Sequence, residues 1–142
     1  MAKSATFENQ LLQLVFNGVG IANLADNAAT APLTNLFLAL HTADPTAAGT
    51  QASNEVSYTG YARVAVARTT GGWIVTGNSV SPAAAINFPA CTGGTATATF
   101  ASIGYGATGA TEIIYSGALS PSVSISSGVI PQINTISTVT ES

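Results

Sequence analysis

Gly104-Tyr105-Gly106-Ala107-Thr108-Gly109 has the spacing of a dinucleotide-binding fingerprint. In that fingerprint the glycines let a pyrophosphate approach a helix N-terminus inside a βαβ unit. Here the next residues are Ala110-Thr111-Glu112-Ile113-Ile114-Tyr115, which read as strand, and no βαβ pattern surrounds them. The expected structure is a glycine-rich hairpin loop.

His41 is the single histidine, with Asp44 nearby and many serines. The inventory of a Ser-His-Asp triad is therefore present, but a triad is defined by geometry, and nothing specifies a nucleophile elbow. His41 ends an apolar run, which predicts a hydrogen-bonded strand-end residue. Finding it buried against a backbone carbonyl would remove the hydrolase reading.

Soft-metal sites need several Cys or His, and this chain has one of each. Calcium needs clustered oxygens, and the acids are scattered. A glycosidase-like carboxylate pair would need distant acids such as Asp44, Glu55 and Glu112 to converge. No catalytic residue, metal ligand or cofactor is assigned, and the chain is not expected to be an enzyme.

Arg63 and Arg68 stand out because cations are rare. They can pair with Glu55 or Glu112 inside the chain, or meet an acidic partner surface. Trp73, Tyr58, Tyr61, Tyr105 and Tyr115 offer either a glycan-binding face or core and cross-strand pairs; the second is the commoner use in a sandwich.

The elements that must carry these residues follow from composition and period. A chain of 142 residues is one domain by length and buries a core without staples. Only 6% of its residues are charged, against about 25% in an average soluble domain. The charged residues are Lys3, Glu8, Asp26, Asp44, Glu55, Arg63, Arg68, Glu112 and Glu141, for a net charge of −3. With no basic patch or polybasic run, nucleic-acid and membrane-surface binding are disfavoured. The N-terminal stretch lacks the unbroken apolar run of a secretory signal, and no segment has the length of a membrane span. Cys91, the single cysteine, has no partner for an intrachain disulfide. Free β proteins usually guard their strand edges with lysine or inward charge; with one lysine, this chain is expected to work inside an assembly.

Residues 6–17 read as a helix, with Phe7, Leu11, Leu14 and Val15 on one face and Leu12 and Phe16 widening it. Gly18 is the expected stop. Residues 21–24 predict a further short turn, and 26–35 a small-residue loop. From Leu36 the period changes. Residues 36–40 predict a central strand, and 55–68 a strand with a bulge or bend at Gly60. Further strands are expected over 73–77, 86–88, 95–105, 112–116, 119–125, 129–133 and 136–139. Short strands at such intervals predict an all-β fold, a jelly-roll-like antiparallel β-sandwich with an N-terminal helix. The expected division is an N-terminal helical segment or arm over 1–25 and a sandwich over 33–142.

Leu36-Phe37-Leu38-Ala39-Leu40-His41-Thr42-Ala43-Asp44-Pro45 and Asn54-Glu55-Val56-Ser57-Tyr58-Thr59-Gly60-Tyr61-Ala62-Arg63 together resemble a widespread family of small tailed-phage structural proteins, often labelled tail-fibre-like. Gly72-Trp73-Ile74-Val75-Thr76-Gly77-Asn78, Phe88-Pro89 and Ile113-Ile114-Tyr115-Ser116-Gly117-Ala118-Leu119 fit the same pattern. Size and layout also resemble the capsid cement protein of Bordetella-type short-tailed phages, a jelly-roll protein that sits outside the shell and associates as dimers. The resemblance implies a virion structural protein on the capsid exterior, assembled in the host bacterial cytoplasm. Its partners would be the major capsid protein and a second copy of itself, with a trimer also possible. A tail or fibre component with a receptor-binding face is the alternative. Phe7, Leu11, Leu14, Val15 and Arg63 are the candidate oligomer or capsid contacts.

Overall fold

The computed structural model describes residues 3–21 and 32–142. Of the turn expected over 21–24 and the loop expected over 26–35, residues 22–24 and 26–31 lie outside the described residues. The order is one helix, α1 (Ala5–Asn17), then β1 (Asn35–His41), β2 (Val64–Ala67), β3 (Trp73–Thr76), β4 (Ser79–Pro82), β5 (Ile86–Asn87), β6 (Ala96–Gly104), β7 (Ile113–Ile125), β8 (Gln132–Ile133) and β9 (Val139–Thr140). Apart from α1 the chain is all-β, with antiparallel pairing in its sheets, in accord with the expected sandwich class. The chain groups into two compact units, one holding α1, β3, β4 and β9, the other most of β1 and β2 together with β6 and β7.

In the first unit α1 starts at Ser4, whose hydroxyl accepts from the Phe7 N–H at 3.3 Å. Gly18 ends it in the left-handed conformation, with φ of 66°. Arg68 supplies the rest of the C-terminal cap. Its Nε donates to the Val15 carbonyl at 2.6 Å, and a terminal nitrogen donates to the Leu14 carbonyl. The last helical carbonyls have no partner within a helix, and a cation there also suits the macrodipole. The chain's sequence places no basic residue in the last turn itself, so Arg68 supplies that charge from elsewhere in the chain.

The fully buried helix residues are Leu12 and Phe16, both 0% exposed. The expected face of Phe7, Leu11, Leu14 and Val15 is half-buried. Phe16 meets Trp73 edge-on, with ring centroids 4.8 Å apart. Trp73 opens β3, which pairs with β4 in the register Trp73–Pro82 to Thr76–Ser79. The sequence reading passed over β4, because Ser79-Val80-Ser81-Pro82 offers only one β-branched apolar residue. It reads as a strand only as the return of a hairpin through Gly77-Asn78.

In the second unit the sheet order is β2-β1-β6-β7, so β1 is internal as expected. Its burial is nearly continuous, from Leu36 to His41, with Phe37 the exception. The strand expected over 55–68 shrinks to β2. Tyr58 and Tyr61 close a turn through the Tyr61 N–H on the Tyr58 carbonyl at 3.0 Å, with Gly60 at φ of 96° between them. The expected bend is therefore a full break. The two strands expected over 112–116 and 119–125 are one, β7. Between the pairs Ala98–Val123 and Phe100–Ala118, Thr99 stands opposite Leu119, Ser120, Pro121 and Ser122. That bulge produced the apparent gap. The strand expected at 136–139 is displaced to β9, and Ile136 is 83% exposed in a turn.

β7 lies at a sheet edge, runs 13 residues and carries no charge. Its guards are irregularity and proline: a second register shift at Ile114, the bulge at 119–122, and Pro121, which has no N–H to offer a strand.

The indole N–H of Trp73 is buried and has no hydrogen-bond partner among the described residues. Trp73 therefore acts through packing alone. Trp73→Ala should lower unfolding free energy by about 3–5 kcal/mol, while Trp73→Phe, which loses no hydrogen bond, should cost clearly less. Urea unfolding of both variants checks this, and equal losses would contradict it.

Candidate functional site

The densest polar constellation lies in the second unit, around Arg63. β1 brings His41 and the Leu40 backbone, the turn-rich segment after it brings Gln51, Glu55 and Tyr61, and the β6–β7 loop brings Gly106, Gly109 and Thr111. Arg63 is the residue just before β2. Its side chain is 2% exposed and that of Glu55 19%.

A guanidinium has five N–H donors and cannot shed its charge. All five are met here. Nε and one terminal nitrogen grip the two Glu55 oxygens at 2.7 and 2.8 Å. That same nitrogen donates to the Gly109 carbonyl at 2.7 Å. The other donates to the Gly106 carbonyl at 2.9 Å and to the Thr111 hydroxyl at 3.0 Å. The bidentate fork is the strongest form of such a pair. The Glu55 hydrogen bond, opposed by burial, raises the Arg63 pKa above its already high value.

The network extends on both sides. Tyr61 donates to Glu55 at 2.9 Å and accepts from the Leu40 N–H at 3.1 Å. Burial is the main cause pushing the Tyr61 phenol far above its usual range. Thr111 donates to the Gln51 carbonyl oxygen at 2.9 Å, and the Gln51 amide donates to the Phe37 carbonyl at 2.9 Å. Gln51 is 0% exposed. The Glu55 pairing of Arg63 is thus one of the two alternatives the sequence left open.

His41 lies beside this network and is 0% exposed, with Ser102 at 1%. Nδ1 lies 2.8 Å from the Ser53 carbonyl, which only accepts, so Nδ1 carries the proton. Nε2, 2.8 Å from the Ser102 hydroxyl, then accepts from it. A serine–histidine pair is present, but its third member is a carbonyl and both side chains are closed to solvent. Asp44 instead accepts from the Thr46 N–H at 2.8 Å. The hydrolase reading built on His41 is thereby removed. Burial lowers the His41 pKa, outweighing the Ser53 carbonyl and Glu55, which raise it.

The remaining candidates sort by exposure. The fingerprint-like residues 104–109 end β6 and enter the loop to β7, so they are a hairpin loop. Trp73 and Tyr58 are buried, and the Tyr58 hydroxyl donates to the Pro89 carbonyl at 2.7 Å. Tyr61 stacks on Phe88 at 6.3 Å. Of the five aromatics named as a possible glycan face, only Tyr105 is exposed. No group of three or more His, Cys, Asp or Glu among the described residues is placed to hold a metal. Sequence reasoning missed Gln51, Ser102 and Thr111. These are common polar residues with no spacing signal, and only the fold reveals that they are buried.

The third cation, Lys3, pairs with Glu141 at 2.6 Å. Every cation of the chain therefore has a partner within it. The constellation binds and orients the chain's own backbone. A family model described as podophage GP4 fiber I protein gp80 matches residues 2–140. The chain belongs to this family. It is a bacteriophage structural protein, as the resemblance implied at that level; the cement-protein part of the resemblance is a finer matter. No curated protein matches the chain.

For this member of the gp80 family, Arg63→Met leaves Glu55 half-buried and unpaired and should cost about 3–5 kcal/mol of stability by denaturant unfolding. Arg63→Lys should restore little, since one ammonium cannot reach both ends of the fork. Adding Glu55→Leu to Arg63→Met should recover part of the loss by removing the stranded charge.

His41 gives a pH prediction. Its folded pKa lies below the unfolded 6.5, so the unfolded chain binds more protons as pH falls. Its contribution is complete above pH 6.5 and is lost as pH drops from there through the folded pKa. Unfolding free energy should decline from pH 7 toward about pH 5.5, and His41→Gln should flatten that slope; urea unfolding across this range checks it, and an unchanged slope in the variant would contradict it.

Proposed function

We propose that the chain is a structural component of the fibre apparatus of a short-tailed phage virion, and that it works by joining subunits. The observation carrying this reading is the family match over nearly the whole chain. Two features of the site support it. The one serine–histidine pair is sealed from solvent, and the cations stabilise the chain's own backbone and acids. Contacts with neighbours then run through apolar and hydroxyl groups, not through ion pairs supplied by this chain's cations.

A second reading is a cement protein on the capsid exterior. The size and layout of the chain, which resemble those of a capsid cement protein, favour it. In that case the chain, as a homodimer or trimer, bridges subunits of the major capsid protein after assembly in the host cytoplasm. Binding only the assembled shell stabilises that state by mass action. In either location the half-buried flank of α1, with Phe7, Leu11, Leu14 and Val15, is a proposed contact, and Arg63 acts through the backbone it holds.

Copy number and position distinguish the two. Quantitative mass spectrometry and cryo-electron microscopy of purified virions should find few copies, confined to the tail vertex. Many copies spread over the shell would establish the cement reading instead, and absence from the particle would overturn both.

A further inference from the structure

We propose that Gln51 and Thr111 form an intramolecular ester, made by the chain itself with release of ammonia, which ties the segment after β1 to the β6–β7 loop. Such a bond depends on side-chain geometry alone, wherever on a virion the chain sits. The two residues are paired twice over, although they lie 60 positions apart. Their backbones meet where the Gln51 N–H donates to the Thr111 carbonyl at 2.8 Å, beside the bridge between Thr50 and Glu112. Their side chains meet where the Thr111 hydroxyl donates to Gln51 Oε1 at 2.9 Å.

The direction of each bond follows from its neighbours. Arg63 donates to Thr111 Oγ1 at 3.0 Å, and a guanidinium cannot accept, so the hydroxyl proton points to Gln51. Gln51 Nε2 donates to the Phe37 carbonyl at 2.9 Å, which fixes which end of the amide is oxygen. The Gly106 N–H donates to the same Oε1 over 3.5 Å. Gln51 is 0% exposed. A Cβ on Gly104 would overlap the Gln51 amide carbon and oxygen, so glycine there lets the amide lie against the end of β6.

A hydroxyl and an amide held in this way react within one molecule. Well-oriented groups behave as if at effective concentrations of about 10⁵–10⁸ M. A lone pair of Oγ1 forms a bond to Gln51 Cδ. The hydroxyl proton passes along the existing hydrogen bond to Oε1, which takes the carbonyl π pair. The tetrahedral carbon then carries Oγ1, Oε1–H and Nε2. The proton moves from Oε1 to Nε2, the carbonyl re-forms, and the Cδ–Nε2 bond breaks with its electron pair on nitrogen. The products are an ester and ammonia, with no further reactant. Ammonia takes a proton from solvent and diffuses away, which draws the reaction forward. Arg63 and the Gly106 N–H aim donors at the two oxygens whose charge changes. Burial keeps water from the finished ester. A bond across so long a loop constrains the unfolded chain as a disulfide does, and the single cysteine, Cys91, leaves the chain no disulfide of its own.

The test is the intact mass of the purified full chain after incubation at neutral pH. The chain should be lighter than its sequence by one ammonia. A digest should yield a branched peptide holding Gln51 and Thr111, and hydroxylamine should open it and leave a hydroxamate at position 51. Thr111→Ser, which keeps the hydroxyl, should still lose ammonia, while Thr111→Val should keep the full sequence mass. A wild-type chain at full mass overturns the ester, whether or not the variants fold. So does a loss of ammonia that survives Thr111→Val or comes without the branched peptide, since cyclisation elsewhere, as at Asn17-Gly18, gives the same change in mass.

Discussion

A guanidinium taken out of water must have every donor met, or the fold loses several kcal/mol. That constraint organises the second unit. Arg63 precedes a strand of four residues that could not hold its surroundings alone. Meeting its donors fixes Glu55 on one side and the β6–β7 loop on the other. Glu55 then fixes Tyr61, whose hydroxyl takes the Leu40 N–H, and Thr111 fixes Gln51. Segments that make almost no regular sheet are thereby held by side chains. This explains how residues 42–63, with only isolated bridges, hold their shape.

Arg68 solves a related problem in the first unit. Both arginines lie next to β2, one before it and one after, and both donate to backbone carbonyls. In a chain with so few charges, cations do the work that local turn residues or water do elsewhere. The uncharged surface left behind needs other protection. On β7 it comes from bulges and Pro121, not lysine. The scarcity of lysine is thus a weaker sign of assembly than edge logic alone suggests, and the case for an assembly rests mainly on the family.

The fold class was legible because β1, β6 and much of β7 are apolar runs or alternations of strand length between glycine-rich turns. The helix was legible through its period, yet its deepest contacts were not. Leu12 and Phe16 lie at one edge of the apolar stripe, and which edge packs depends on Trp73, far along the chain. The 55–68 segment misled because Val56, Tyr58, Val64 and Val66 fit a period of two, while the turn at Gly60 is set by Tyr58 and Tyr61 packing. At the site, Arg63 and Glu55 were visible as rare charges. Gln51, Thr111 and Ser102 were not, since nothing in a neutral polar side chain's spacing says that it is buried.

The sealed pair of His41 and Ser102 shows why geometry must precede chemistry. By distance alone it matches a nucleophile and its base. A base that activates serine needs its other nitrogen oriented by a group that stabilises the imidazolium formed during reaction. The Ser53 carbonyl orients the ring but is neutral, and burial already disfavours the charged ring. With Ser102 closed to solvent, a substrate carbonyl has no approach. What remains is a donor and an acceptor, each satisfied, joining β1 to β6 and to the segment that carries Glu55. Joining is also what Arg63 does, between Glu55 and the β6–β7 loop.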